Sequence, residues 1–297
     1  MPETIAISSP VRVVSGLGEL AAGYDVVLCD VWGVIHNGIV ASADAYGALM
    51  RFRDGGGSVI LITNAPRPSS AVVGQLDRLG VPRSAYDAVV TSGDLTRLAI
   101  MDRAGQVVHH IGPERDRPIF ADLDAPFGDI DGADYVVCSG LFDDTKETVE
   151  AYRPMLERLR RRDLWMLCAN PDLVVERGHE LIPCAGAIAL AYEELGGEVL
   201  YAGKPHRPIY DLSLAVAAKM AGRDAIDPAR VLGIGDAIRT DIAGAAGYGI
   251  AALFVARGIH TIELKLDADG LESSHVQDWL GRQEARPSAV VDRLAWA

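Results

Sequence analysis

Polar side chains able to do chemistry follow four apolar runs in this sequence, each at the point where the run ends. They are Asp30 after 26–29, Thr63 and Asn64 after 59–62, Lys204 after 198–202, and Asp236 after 231–234 with Asp241 close behind. Two or three carboxylates suit a hard cation such as Mg²⁺, and a carboxylate can also be a nucleophile that forms an aspartyl-phosphate. A hydroxyl and a lysine beside them supply what a transferring phosphoryl group needs. Alone, such a lysine is usually a surface residue and such an aspartate often caps a turn, so the prediction depends on their joint order.

These side chains need a sheet whose strands end at one edge. Apolar strands expected at 26–29, 59–62 and 88–90 alternate with helices expected at 42–53 and 70–79. That alternation predicts an α/β, doubly wound (Rossmann-like) parallel sheet. Ligands bind at the carboxyl ends of the strands in such sheets. We therefore expect the four polar groups to converge on one crevice.

The alternation of apolar strands and helices is interrupted in the middle of the chain and resumes near its end. Between 99 and 198 the sequence predicts short strands with Asp-, Gly- and Pro-containing loops, and a helix over 146–162 that Pro154 would kink. A strand at 198–202 and a helix at 207–220 follow, with strands again at 231–234 and 251–255. We predict a discontinuous core of residues 1–98 and 199–297, with an α/β cap domain of residues 99–198 inserted into it.

Composition narrows the class of protein. A chain of 297 residues favours two domains, and a hydrophobic content of 49% favours well-filled cores. The formal charge of −13 argues against a nucleic-acid or anionic-membrane surface. Four cysteines without metal-site spacing predict buried free thiols. Neither a signal peptide nor a bilayer-spanning run is found, so a cytoplasmic location is expected.

Taken together, the motifs resemble the haloacid dehalogenase (HAD) superfamily, subclass IIA, the group of NagD and 4-nitrophenyl-phosphatase-type enzymes. The resemblance covers most of the chain. It is carried by the Asp30 motif, Thr63-Asn64, Gly203-Lys204-Pro205, and Gly235-Asp236 followed by Thr240-Asp241, with two subclass features, Asn170-Pro171-Asp172 and the stretch Pro183 to Ala187.

The resemblance implies a role for each matched residue. Asp30 would be the nucleophile, Thr63 would hold the phosphoryl group and Lys204 would pair with both. The Mg²⁺ ligands would be Asp30, the backbone carbonyl of Trp32 and Asp236, with Asp241 supporting the site. Asn64, Asn170 and Asp172 would contact the substrate, the last two from the cap. The implied partner is a small phosphorylated metabolite, and a homodimer through the cap is a further expectation.

One departure from the family pattern bears on the mechanism. The phosphatases of this family carry a second aspartate two residues after the nucleophile, as the general acid/base, and this sequence has Trp32 there. Losing such a group typically costs about 10²–10⁴-fold in rate. His36 is the nearest titratable replacement in the sequence, although a loop histidine is more often structural. Arg67 and Arg239 could reach a substrate anion, but surface ion pairs explain them as simply.

Two hypotheses follow from these residues. The first is a Mg²⁺-dependent phosphohydrolase that Trp32 makes slow or restricted in its leaving group. The second is a catalytically weak phosphate-binding or regulatory protein on the same scaffold. Retention of both Asp30 and Lys204 favours the first, because a protein that only binds has no need of a nucleophile.

Overall fold

The computed structural model describes residues 10–177, 180–266, 271 and 273–297. Their strands form two parallel sheets and one antiparallel pair. The strands are β1 (Arg12–Val13), β2 (Val26–Asp30), β3 (Ser58–Thr63), β4 (Ala88–Thr91), β5 (Val108–Ile111), β6 (Tyr135–Cys138), β7 (Met166–Cys168), β8 (Val174–Arg177), β9 (Glu180–Pro183), β10 (Val199–Tyr201), β11 (Val231–Gly235), β12 (Ala251–Val255) and β13 (Ala289–Val291). The α-helices are α1 (Ala43–Asp54), α2 (Ser69–Arg78), α3 (Ser92–Met101), α4 (Arg153–Arg161), α5 (Ala185–Glu194), α6 (Arg207–Met220), α7 (Ala243–Tyr248) and α8 (Ser273–Leu280).

The larger sheet has the strand order β1-β13-β12-β11-β2-β3-β4, with every neighbouring pair parallel. Its strands are nearly continuous apolar runs because helices cover both faces. Along β2, Val26 and Leu28 belong to one hydrophobic cluster, with residues of α6 and α7, while Val27 and Cys29 belong to the other, with residues of α1 and α2. The doubly wound core predicted from the sequence is thus confirmed, and β2 lies between β11 and β3 near its centre.

The smaller sheet corrects one sequence-based assignment. Its order is β10-β7-β6-β5, again all parallel. The sequence placed the strand before Lys204 in the core, but Val199–Tyr201 pairs with Met166–Cys168 and therefore belongs to this second sheet. A short apolar run looks the same in either sheet, because periodicity does not record which strand is its neighbour. The division into a core of residues 1–98 and 199–297 and a cap of residues 99–198 stays a prediction. The pairing of β10 with β7 moves the boundary at which the chain returns to the core from residue 199 to a point after β10.

Other local differences have simple causes. The helix expected over 146–162 is a 3₁₀ turn, Val149–Tyr152, followed by α4, and Pro154 lies in the first turn of α4 rather than at a kink. Proline is favoured there because the N–H groups of the first turn have no hydrogen-bond partner within the helix, so the N–H that proline lacks is not missed. The antiparallel pair of β8 and β9 was not anticipated. All four cysteines are buried and free, as predicted, and no helix of the described residues has the length and apolar character needed to cross a bilayer.

Candidate active site

Three carboxylates and one lysine meet at the carboxyl end of β2. The ammonium of Lys204 contacts Asp30 Oδ1 and lies 2.6 Å from Asp241 Oδ1. Carboxylate oxygens of Asp30, Asp236 and Asp241 all lie within 4.8 Å of one another. Exposed fractions of 6%, 5% and 7% for the three aspartates and 3% for the lysine show that the cluster is withdrawn from water.

The charges of this cluster do not balance without a cation. With all three carboxylates ionised, the cluster and its one ammonium carry two excess negative charges in a buried site, and buried charge is costly unless it is paired. Burial, with Asp241 and Asp236 as neighbours, raises the pKa of Asp30 well above its usual range, although Lys204 opposes the shift. Burial and Asp241 raise the pKa of Asp236 to about 7. A divalent cation held by oxygen ligands would neutralise this excess, so the residues fit the predicted Mg²⁺.

The lysine itself stays protonated. Burial lowers the pKa of Lys204, but Asp241 and Asp30 outweigh that effect and raise it well above its ordinary value. The ammonium is therefore a fixed positive charge beside Asp30. In this position it can stabilise negative charge that develops on a transferring phosphoryl group.

Backbone geometry brings Asp236 and Asp241 to this point. Asp236 directly follows β11, which pairs with β2, and its Oδ2 accepts a hydrogen bond of 2.8 Å from the N–H of Ile259. Asp241 lies in a π-helical turn, Ile238–Ile242, of a kind often found at functional sites. Gly33 has φ +90°, and a Cβ there would overlap the Asp236 carboxylate, so glycine is required where the two loops meet.

Asn64 ties the two sheets together. Its Oδ1 accepts from the N–H of Lys204 at 2.8 Å, and its Nδ2 donates to the carbonyl of Lys204 at 3.0 Å and to Asp172 Oδ1 at 2.9 Å. Thr63 Oγ1 accepts from the N–H of Ala65 at 3.2 Å, which leaves its own proton available to an anion. Gly203 has φ +149°, and a Cβ there would collide with Asn64 and Ser92. The loop that carries Lys204 is therefore packed against Asn64, directly after β3, and leaves no room for a side chain at position 203.

Asn170 and Asp172 lie after β7 of the smaller sheet and face the same region. Asn170 Oδ1 accepts from the N–H of Asp172 at 3.1 Å, which orients the Asp172 side chain toward Asn64. Burial raises the pKa of Asp172 to about 6, against the opposing effects of Lys204 and Asn64. Asp172 is thus a carboxyl group that exchanges a proton near neutral pH.

Trp32 is in the wall of the cleft, but His36 is not. The cleft is lined by Asp30, Trp32, Thr63, Asn64, Asp172, Lys204, Asp236 and Asp241, among others. The Trp32 ring packs against Gly38 and meets the His36 ring edge-on, with centroids 5.1 Å apart. His36 is buried, its Nδ1 accepts from the N–H of Gly38 at 2.9 Å, and burial lowers its pKa to about 4. A neutral, occupied imidazole outside the cleft is a poor substitute acid.

The structure also places the two arginines considered from the sequence. Arg67 lines a second cavity next to the cleft, and Arg239 is exposed at a third cavity on the other side. Sequence reasoning missed Arg115 and Arg177, which also line the second cavity. Nothing in their local sequence marks them, because they meet only when the segment between β5 and β9 has folded.

Comparison with known proteins decides the family. The family model described as haloacid dehalogenase-like hydrolase matches residues 27–125, and one described as HAD-hydrolase-like matches 201–297. A solved haloacid dehalogenase-like hydrolase from Brucella suis is 44% identical, covers 95% of this chain and 100% of its own, and superposes with a TM-score of 0.84. The chain belongs to the haloacid dehalogenase-like hydrolase family. The resemblance to this superfamily and to its subclass IIA, stated from the motifs, is confirmed.

Further relatives of this HAD-like hydrolase include proteins named as phosphatases. A glycerol-3-phosphate phosphatase from Gallus gallus is 28% identical over 92% of this chain and 91% of its own. A 4-nitrophenylphosphatase from Thermotoga maritima, 22% identical, covers 92% and 96% of the two chains with a TM-score of 0.68, and shows the shared fold. A glycerol phosphate phosphatase from Mycobacterium tuberculosis, solved in complex with calcium, is 22% identical, covers 92% of this chain and 72% of its own, and has a TM-score of 0.64.

Proposed function

We propose that this HAD-like hydrolase is a Mg²⁺-dependent phosphohydrolase that acts on a small phosphorylated metabolite through an aspartyl-phosphate on Asp30. The observation that carries the proposal is the buried cluster in which Lys204 contacts both Asp30 and Asp241 while Asp236 completes a set of three carboxylates. Relatives named as glycerol-3-phosphate phosphatase and 4-nitrophenylphosphatase support the same class of substrate.

Each residue has a distinct task in this mechanism. A carboxylate oxygen of Asp30 attacks phosphorus as the ester P–O bond breaks and the alkoxide leaves. Water then hydrolyses the acyl phosphate, which releases inorganic phosphate and regenerates the carboxylate. Thr63, with its proton available, donates to a phosphoryl oxygen, and Lys204 stabilises the charge that develops there. Asp30, Asp236, Asp241 and the Trp32 carbonyl would hold Mg²⁺, which supplies charge neutralisation when bound. Asn64, Asn170 and Asp172 would position the substrate between the sheets.

Trp32 leaves the departing alkoxide without the usual proton donor. Esters with good leaving groups need little protonation as they depart, so the missing acid affects them least. Asp172 also lines the cleft, and burial raises its pKa to about 6, so it is the first alternative donor to test if turnover does not depend on the leaving group. His36 lies outside the cleft lining, and its Nδ1 accepts from the N–H of Gly38.

The proposal is tested by steady-state turnover on a broad panel of phosphorylated metabolites, with and without Mg²⁺. Wild type should turn over with Mg²⁺ and acquire one phosphoryl group on Asp30 in acid-quenched samples. Asp30→Asn should lose both signals while keeping the circular dichroism of the folded protein. Unchanged turnover in Asp30→Asn would rule out the aspartyl-phosphate.

A second candidate function is favoured by Trp32 alone. A catalytically weak phosphate-binding or regulatory protein would keep the cation and phosphate contacts and have no need of a proton donor. It predicts tight binding of a phosphorylated ligand without steady turnover on any member of the panel. The cytoplasmic location and the homodimer through the cap also stay predictions, and sedimentation would measure the latter.

A further inference from the structure

A second cavity adjoins the cleft and extends it toward the smaller sheet. It has a volume of about 230 Å³ and shares Trp32, Thr63, Asp172 and Val175 with the cleft. Its far wall includes Ser139, Asn170 and Pro183. The volume accommodates a small organic group, and the shared residues place such a group next to a phosphoryl group held at Thr63.

Arg67 brings a positive charge into this cavity, and no carboxylate of the described residues forms a salt bridge with it. Its side chain is half-buried, and its Nη2 donates to Gln75 Oε1 at 3.2 Å. Among the residues that the structure describes, no carboxylate oxygen lies within 4.0 Å of a guanidinium nitrogen of Arg67, which is the limit for a salt bridge. Burial lowers the pKa of Arg67, with Asp116 opposing from a greater distance. A partly desolvated guanidinium of this kind favours an anionic partner.

The loop that carries Arg67 is held firmly. Thr91 Oγ1 donates to the carbonyl of Arg67 at 2.7 Å, and the N–H of Gly93 donates to the carbonyl of Ala65 at 3.2 Å. A Cβ on Gly93 would overlap the backbone of Arg67, so the loop lies directly on the start of α3. Because the backbone is fixed and Gln75 orients one side of the guanidinium, the remaining donors of Arg67 are pre-organised.

The opposite wall carries charges of both signs. Arg115 and Arg177 share one carboxylate, that of Asp144, at 2.5 and 2.8 Å. Asp116, also in this wall, is buried, and its burial raises its pKa to about 6. Three guanidinium groups and three carboxyl groups therefore line the cavity, Asp172 being the third of the latter. Arg115 and Arg177 are paired with Asp144, whereas the guanidinium of Arg67 has only the amide of Gln75 as a hydrogen-bond partner among the described residues.

We propose that this cavity receives the leaving-group end of the substrate and that Arg67 binds a second anionic group there, a carboxylate or a second phosphate. The inference rests on the proposed phosphohydrolase function and narrows its substrates to phosphate esters with two anionic ends. Fork-shaped pairing of a guanidinium with an oxyanion supplies both affinity and orientation.

The test compares esters that differ only in the remote charge. The probes are 3- and 4-carboxyphenyl phosphate, their uncharged carbamoyl counterparts, and the bisphosphate of hydroquinone. Wild type should prefer the charged esters in kcat/KM by about 10- to 100-fold, as expected for a charge-assisted hydrogen bond. The preference should disappear in Arg67→Met and persist in Arg78→Met, which removes a nearby exposed arginine of α2 that is outside the cavity wall.

Binding separates this inference from the proposed function. Calorimetry on Asp30→Asn, alone and combined with Arg67→Met, measures affinity for the same esters without turnover. Arg67-dependent binding of the charged esters by a protein that hydrolyses none of them would retain the anion site and reject the phosphohydrolase. No preference in wild type, or a preference that survives in Arg67→Met, would overturn the anion site. Arg67→Gln serves if the methionine variant does not fold, and the bisphosphate shows which oxyanion is preferred.

Discussion

Exchanging Trp32 for a carboxylic acid tests the mechanism most directly. Trp32→Asp should raise turnover of alkyl phosphates, because it supplies the proton donor that the cleft lacks. The introduced carboxyl group would lie in the same cleft wall as Asp30, Asp236 and Asp241. Three neighbouring carboxylates should raise its pKa and keep it partly protonated near neutral pH, as a general acid requires. A positioned acid contributes about 10²–10⁴-fold, or roughly 3–5 kcal/mol of the barrier.

The indole also has a packing role, and the comparison must remove its effect. The Trp32 ring packs on Gly38 and against His36. Fully buried large residues cost about 3–5 kcal/mol when truncated, so a half-buried Trp32 should cost roughly 2 kcal/mol. Trp32→Asn loses the same packing without gaining an acid. The ratio of Trp32→Asp to Trp32→Asn therefore isolates proton transfer from the change in packing.

The assay is kcat/KM over a series of leaving groups at saturating Mg²⁺. For alkyl phosphates the ratio of the two variants should reach about 10²–10⁴, and for 4-nitrophenyl phosphate it should stay near one. Wild type should itself depend steeply on leaving-group pKa. A ratio near one for alkyl phosphates would refute the reasoning. A flat dependence in wild type would show that another group already supplies the proton, and Asp172 would be the next residue to replace.

Two further predictions concern stability. Lys204→Met leaves buried carboxylates unpaired, so the free energy of unfolding at pH 8 should fall by about 3–5 kcal/mol. The loss should be smaller at pH 5, because burial raises the pKa of Asp30 well above its usual range and Asp30 can take up a proton there. Exposed Lys219→Met should show no such effect in urea unfolding. An equal loss at both pH values would contradict this explanation. His110 is buried, and burial lowers its pKa from 6.5 to about 4. The unfolded state therefore binds more protons in that window, and stability falls by up to about 3 kcal/mol as pH drops from 6.5 to 4. His110→Gln should remove this part of the pH dependence. If the free energy of unfolding depends on pH in the same way in wild type and in His110→Gln, the effect does not come from His110.

The parts of the fold that follow from the sequence are those where burial leaves a local pattern. β2, β3 and β11 are central parallel strands, so each reads as an unbroken apolar run, and the polar residue at its end could be placed at once. The family followed from Asp30, Lys204 and Asp236 taken together, because their order along the chain is specific even though each residue is common.

The parts that could not be predicted depend on contacts between distant segments. The sheet that receives β10 is decided by its pairing with β7, which no periodicity records. The second cavity required Arg67 to meet Arg115 and Arg177 from other segments. His36 was the nearest titratable replacement in the sequence although a structural role was more common for such a histidine, and only its burial and its hydrogen bond from the N–H of Gly38 decide for the structural role. For Arg67 and His36, the environment of the side chain, rather than the type of residue, determines its chemistry.

The membership of β10 in the smaller sheet also constrains how this scaffold can diversify. Asp30 and Asp236 are delivered by strands of the larger sheet, whereas Lys204 follows a strand that pairs with β7. A recombination that exchanges the segment forming the smaller sheet for that of another enzyme would thus carry the strand that precedes Lys204 with it. A viable chimera must either keep residues 199–206 with the recipient or bring an incoming strand whose register restores the Asn64 contacts to Lys204. Changes of substrate preference in this lineage should therefore arise more readily by substitution within the segment than by wholesale exchange of it.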